Sequence, residues 1–238
     1  TGRHASGQAA GAKQRSVTRA KHSELTEEID SIHVSKDLGG VVGFDFEPAP
    51  KEFLVRYHGP VAAGDKALFE VDVAVRRTDR IRVAGANGAG KTSLLTALLR
   101  ASPVPADRLL HLAQETTAAE ASAWLDAARA LPPDDRGRVM SLVALLGSDP
   151  GPLLASDRPS PGEARKLALA LGLGTPRWLL ALDEPTNHLD LPPIERLEQA
   201  LRGYPGAVLL VTHDDRLAGE VTDTVWTVDD GGLEVSPG

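Results

Sequence analysis

The chain has 238 residues, of which 33 are acidic, 26 basic and none cysteine. The lack of cysteine rules out disulfide frameworks and thiolate metal sites, and the net charge of −7 argues against a protein that coats nucleic acid non-specifically. An apolar fraction of 42% suits one large folded domain, with or without a short extension, and no apolar run approaches the roughly 18 residues that a membrane helix needs.

Residues 1–22 hold Arg3, Lys13, Arg15, Arg19 and Lys21 with no acid among them, so the remainder is more acidic than the whole. A basic arm on an acidic body fits contact with RNA phosphates, and equally fits a solvated linker. The stretch lacks the apolar segment of a secretory signal, and a soluble cytoplasmic chain is expected. Residues 1–48 read as a linker-like extension, weakly helical over 16–32 and broken at Gly39-Gly40.

Further on, prolines recur in close pairs at 48/50, 103/105, 132/133, 150/152, 159/161 and 192/193. Each pair predicts a connection, because proline is poorly tolerated inside helices and central strands. Between the pairs, apolar runs predict strands at 53–57, 68–75, 80–84, 178–182 and 207–212. Helical spacing predicts helices at 91–100, 118–130, 136–146, 163–171 and 194–201. Strands that alternate with helices predict an α/β fold, its sheet mostly parallel and flanked by helices. No internal repeat is visible.

The first chemical signal lies between the third strand and the first helix. Gly85-Ala-Asn-Gly-Ala-Gly-Lys91-Thr92 satisfies G-x-x-x-x-G-K-[ST]. Glycines let such a loop fold tightly, so that successive backbone N–H groups converge on phosphate oxygens at a helix N-terminus. Gly85, Asn87, Gly88, Ala89, Gly90, Lys91, Thr92 and Ser93 are the expected nucleotide-binding set. Lys91 would reach the β- and γ-phosphates, and the Thr92 hydroxyl would ligate Mg2+. The second signal is the apolar run 178–182 ending in Asp183-Glu184-Pro185. Two carboxylates at the carboxyl edge of a sheet stand where ligands of such folds bind. Asp183 suits Mg2+, and Glu184 suits a catalytic base for the water that attacks the γ-phosphate.

The run Asp183-Glu-Pro-Thr-Asn-His-Leu-Asp190 resembles the ATP-binding cassette (ABC) ATPases, and its Asn187-His188 extension is similar to the ABC-F class. Members of that class are soluble twin-domain ATPases that act on ribosomes, some in antibiotic resistance and others as translation factors. The resemblance implies a P-loop NTPase fold of ABC type over 49–238, with a small antiparallel β part and a helical subdomain at about 115–172. It implies ATP and Mg2+ as ligands. It also implies a second ABC module as partner, either the N-terminal half of the same protein or a second copy, with ribosomal RNA beyond it and no DNA. Gln114 matches the glutamine loop that senses the metal and the attacking water, Asp190 the loop that contacts the partner module, and His213 the catalytic histidine at the γ-phosphate. Ser160, Gly162 and Glu163, in Ser160-Pro-Gly-Glu163, match the signature that faces the other module's nucleotide. Ser160-x-x-Glu163 also reads as a helix capping box with proline at the first helical position. The chain departs from the family at Pro159 and Pro161, and at Val61-Ala-Ala-Gly64, where an aromatic usually stacks on adenine; Tyr57 is the nearest ring. Two other readings share the core motifs: the ATPase subunit of a membrane transporter, and a degenerate nucleotide-gated scaffold.

Overall fold

The computed structural model describes residues 46–229 and 232–238, so the basic arm and the weakly helical stretch 16–32 lie outside the described residues. Two strands, β1 (Phe53–Ala63) and β2 (Lys66–Arg76), pair antiparallel in a sheet of their own, joined through Gly64 at φ 59°. β1 runs six residues beyond the predicted 53–57 and passes through Pro60. A two-stranded ribbon has a free edge, where the missing N–H of proline costs little.

The main sheet holds β3 (Arg80–Gly85), β4 (Leu109–Leu112), β5 (Leu179–Asp183), β6 (Ala207–Val211), β7 (Thr224–Asp229) and β8 (Gly232–Pro237) in the order β4-β5-β6-β3-β7-β8. All neighbours are parallel except β7 and β8, which form a hairpin. Helix α1 (Lys91–Ala101) follows β3, and four helices lie between β4 and β5: α2 (Ala118–Ala130), α3 (Pro133–Leu145), α4 (Pro150–Ala155) and α5 (Pro161–Gly174). α6 (Leu191–Gly203) joins β5 to β6, and α7 (Asp215–Val221) joins β6 to β7.

β5 and β6 are buried along their whole length, and successive side chains go to opposite faces. Leu179, Ala181, Leu209 and Val211 join a core with Leu94, Leu95 and Leu98 of α1 and Leu54 and Val75 of the ribbon. Leu180, Leu182, Val208 and Leu210 join a second core with Val139 and Val143 of α3, Leu167 and Leu171 of α5, and Leu197 and Leu201 of α6. Each fully buried Leu in these layers contributes about 1.5–3 kcal/mol.

The proline pairs mark helix starts as often as loops. Pro133, Pro150 and Pro161 open α3, α4 and α5, where the proline N–H is not needed. β4, α4, α7 and the β7–β8 hairpin were not among the predicted elements. β4 has only four residues and is defined by its pairing with β5.

Candidate active site

Four parallel strands deliver their carboxyl ends to one edge of the sheet, and each end carries predicted site residues. β3 turns through 86–90 into α1, β5 ends on Asp183, β6 leads to His213, and β4 leads to Gln114. A cleft of about 650 Å3 at this edge is lined by Asn87, Gly88, Gly90, Lys91, Thr92 and Ser93 from the loop, by Gln114, Asp183, Glu184, Asn187 and His213 opposite, and by Ala63, Leu68 and Val211.

The loop conformation requires glycine at its two ends. Gly85 has φ 140°, and a Cβ there would stand 2.2 Å from the Val228 carbonyl oxygen. Gly90 has φ 108° at the N-cap of α1, and a Cβ there would stand 2.8 Å from Leu68 Cδ1. Lys91 Nζ donates to the carbonyls of Gly85 at 2.8 Å and Ala86 at 3.0 Å, which arches it over the loop. Gly85 and Ala89 belong to the loop backbone but are not on the cleft wall.

The Thr92 hydroxyl donates to Asp183 Oδ2 at 2.8 Å, across a sequence separation of 91 residues. Asp183 is 1% exposed. These two oxygens, both hard donors, touch beside a loop built for phosphate, an arrangement that fits Mg2+, which prefers oxygen and takes few protein ligands. Among the described residues, no three His, Cys, Asp or Glu side chains gather as a self-sufficient cage. A cation here would therefore complete its shell with phosphate and water oxygens.

Glu184 lies at φ 49°, in the left-handed region that non-glycine residues rarely adopt, and His188 follows at 65°. The Glu184 N–H donates to the Val211 carbonyl at 2.8 Å, extending the β5–β6 ladder by one bond. Glu184 Oε1 is buried without a hydrogen bond and stands 3.7 Å from His213 Nε2. That same nitrogen is 3.1 Å from Asn87 Oδ1, so the histidine bridges the phosphate loop and the acidic strand end. Arg82 of β3 supports this segment from below, through Asp215 Oδ1 at 2.6 Å and the Thr212 carbonyl at 3.4 Å.

Ser160, Gly162 and Glu163 lie at the start of α5, off the cleft wall. The predicted capping box is present: Ser160 Oγ accepts from the Glu163 N–H at 3.3 Å, and Glu163 Oε2 accepts from the Ser160 N–H at 2.8 Å and its hydroxyl at 2.6 Å. These bonds hold the Glu163 carboxyl below its ordinary value. Asp190 is the exposed N-cap of α6, also outside the cleft. A second cleft of about 600 Å3 shares Ala63, Thr92 and Ser93 with the first and extends past Tyr57, Thr96 and Arg100.

Two features were missed in the sequence. Asn187 lines the cleft, and its place three residues after Glu184 was a usable signal. Arg165, buried in α5, bonds to carbonyls of both the Gln114 loop and the Asp183 strand end. A lone guanidinium in an apolar helix face was the available clue.

The ABC transporter family model matches residues 68–187. The tylosin resistance ATP-binding protein TlrC of Streptomyces fradiae is 41% identical over 154 residues, covering 60% of this chain and 28% of the relative. The ribosome protection protein VmlR of Bacillus subtilis is 35% identical over 177 residues, covering 71% and 30%. ABC transporter F family member 2 of Arabidopsis thaliana is 32% identical over 196 residues, covering 71% and 27%. The chain thus spans less than a third of the length of these relatives. Among solved structures, an ATP-binding subunit of an ABC transporter superposes with a TM-score of 0.62 at 18% identity, covering 79% of this chain and 90% of that one. A dimeric ATP-binding cassette with ADP and Pi gives 0.56 at 15%, covering 78% and 97%. These two show the fold alone. With the family model matched over half its length, the chain belongs to the ABC transporter family, as an ATP-binding domain whose relatives include members of the F class.

Proposed function

We propose that residues 49–238 form an ATP-binding and hydrolysing module of an ABC-F protein that acts on the ribosome, with residues 1–48 as the segment leading into it. The single observation that carries the ATPase reading is the contact of Thr92 Oγ1 with Asp183 Oδ2, beside a phosphate loop and a Glu184 carboxylate whose buried Oε1 makes no hydrogen bond. The ribosomal reading is supported by Asn187-His188 and by relatives named for ribosome protection and tylosin resistance.

In this reading, the N–H groups from Gly88 to Thr92 and the Lys91 ammonium hold the phosphates, Lys91 exchanging two loop carbonyls for phosphate oxygens. Mg2+, held by Thr92 and Asp183 with Gln114 nearby, would polarise the β- and γ-phosphates and neutralise charge as it builds. Glu184 accepts the proton of the attacking water, and its buried oxygen is free to do so. His213 would donate to the γ-phosphate, its Nε2–H exchanging Asn87 Oδ1 for a phosphate oxygen. The second cleft would receive ribose and base between Tyr57 and Thr96. The stretch Val61-Ala62-Ala63-Gly64 itself carries no ring, so base selectivity is expected to be loose. Ser160, Gly162, Glu163 and Asp190 serve the nucleotide and surface of a second module.

The test uses the full-length protein carrying this chain. Glu184→Gln should lower phosphate release by at least about 100-fold and should trap the protein on ribosomes in ATP during co-sedimentation. Ribosome binding indifferent to ATP would overturn the ribosomal reading. Retention on membranes without ribosome binding would move the assignment to a transporter subunit.

A further inference from the structure

We propose that Arg165 is a positioning residue for the metal side of the cleft, a single buried guanidinium that fixes the Gln114 loop against the Asp183–Glu184 strand end. The inference rests on the Mg-nucleotide reading given above. Arg165 is 2% exposed and lies on α5, two residues beyond Glu163. Its Nη1 donates to the carbonyls of Ala113 at 3.3 Å and Gln114 at 3.1 Å. Its Nη2 donates to the Asp183 carbonyl at 2.7 Å and to the Glu184 carbonyl, and its Nε reaches the Pro185 carbonyl at 3.4 Å. One planar fork thus grips two loops that arrive on neighbouring strands.

Burial of an arginine is costly, and here desolvation pushes its pKa down, offset in part by the charges of Asp183 and Glu184. A brace alone could be built more cheaply from apolar packing. Five carbonyl acceptors spread over two loops suit a guanidinium, whose donors diverge in a plane, and do not suit an ammonium, whose donors leave from a point.

The Glu184 backbone explains what the fork holds in place. The φ of 49° is sustained where the carbonyls on both sides, of Asp183 and Glu184, are bound by Arg165 while the Glu184 N–H is bound by Val211. Release of those carbonyls lets the turn relax. Asp183 Oδ2 then shifts from Thr92, and Gln114 shifts within the cleft that it lines with them. The phosphate loop 85–92 makes no bond to Arg165, so its share of nucleotide binding is untouched.

The experiment is titration of the chain with a fluorescent ATP analogue, once in EDTA and once with Mg2+, for wild type, Arg165→Lys, Arg165→Gln and the control Arg129→Lys. Arg129 also grips carbonyls, those of Leu154 and Ser156, but none of the cleft. The affinity of both Arg165 variants in EDTA should stay within about twofold of wild type, while the gain from Mg2+ shrinks by about tenfold, the scale for loss of a group that orients a metal ligand. Arg129→Lys should keep the full gain. An undiminished gain in both Arg165 variants overturns the proposal, as does a parallel loss in EDTA and Mg2+. Absence of a cooperative unfolding transition in both variants also overturns it, because Arg165 is then a brace of the core. Wild-type protein that binds no analogue under either condition would instead sink the nucleotide reading itself.

Discussion

Thr92 and Asp183 form the smallest unit of the site, and a single atom separates function from packing there. Thr92→Val keeps the shape and removes the hydroxyl that donates to Asp183 Oδ2. The structural cost is about 1–3 kcal/mol, since a buried acceptor loses its donor. Phosphate release should fall far more, by about 100-fold, which a steady-state assay of the assembled protein resolves from the modest shift in thermal midpoint. His111 gives a different residue-scale test. Its Nε2 is buried without a partner, and burial lowers its pKa from 6.5, offset in part by Asp183 and Glu120. The unfolded chain therefore binds the proton more readily than the native one. The stability contributed by the neutral ring is present above about pH 6.5 and declines as pH falls below it. Urea titrations from pH 7.5 to 5.5 should show that decline, and His111→Gln should flatten it.

At the scale of elements, α5 makes the sharpest test. It presses on β4 and α3 so closely that a Cβ at Gly172 would lie 2.4 Å from Leu110 Cδ2. Helix propensity favours alanine by about 1 kcal/mol, and overpacking opposes it by about 1–3 kcal/mol. The contact at Leu110 is with a buried strand residue that has little room to yield, so Gly172→Ala should lower stability by denaturant melt. At the other end of the helix, Ser160→Ala should cost about 1 kcal/mol through loss of the cap. That cap was legible because its two members stand three residues apart; the matching pair Thr117 and Glu120 at α2 has the same spacing and was overlooked. The phosphate loop (85–92) and the acidic strand end (178–185) were legible for the same reason, since each is written in one short run of neighbours, and the βα alternation followed from elements whose periodicity is local one by one. β4 was not, because its four residues become a strand only against Leu179–Asp183. Nor was the role of Arg165, whose acceptors lie 18 to 52 positions away in the chain. Local propensity carries no record of such partners.

For the whole molecule, the residues proposed for a neighbouring module lie off the wall of the chain's own cleft. Ser160, Gly162, Glu163 and Asp190 are absent from its wall, and in the proposed reading they serve the nucleotide of a second module. If a second copy can be that module, Glu184→Gln should convert monomer to dimer in ATP and Mg2+ during analytical ultracentrifugation, and the wild type should revert as ATP is consumed. No change in sedimentation would leave the N-terminal module of a longer protein as the required partner. Among the described residues, no helix is long and apolar enough to cross a membrane.

The burial of β5 between β4 and β6 also limits where the chain tolerates insertion. Both faces of the strand are packed, so its alignment is pinned from either side. One residue added within 175–178 and absorbed by sliding the strand would bring Leu182 to the position of Asp183. The sheet could still assemble in outline, yet an isobutyl group would stand where an oxygen is needed. A residue added at the solvent-facing turn 147–149, between α3 and α4, displaces no strand. Length variants at these two places should thus differ in activity far more than in fold.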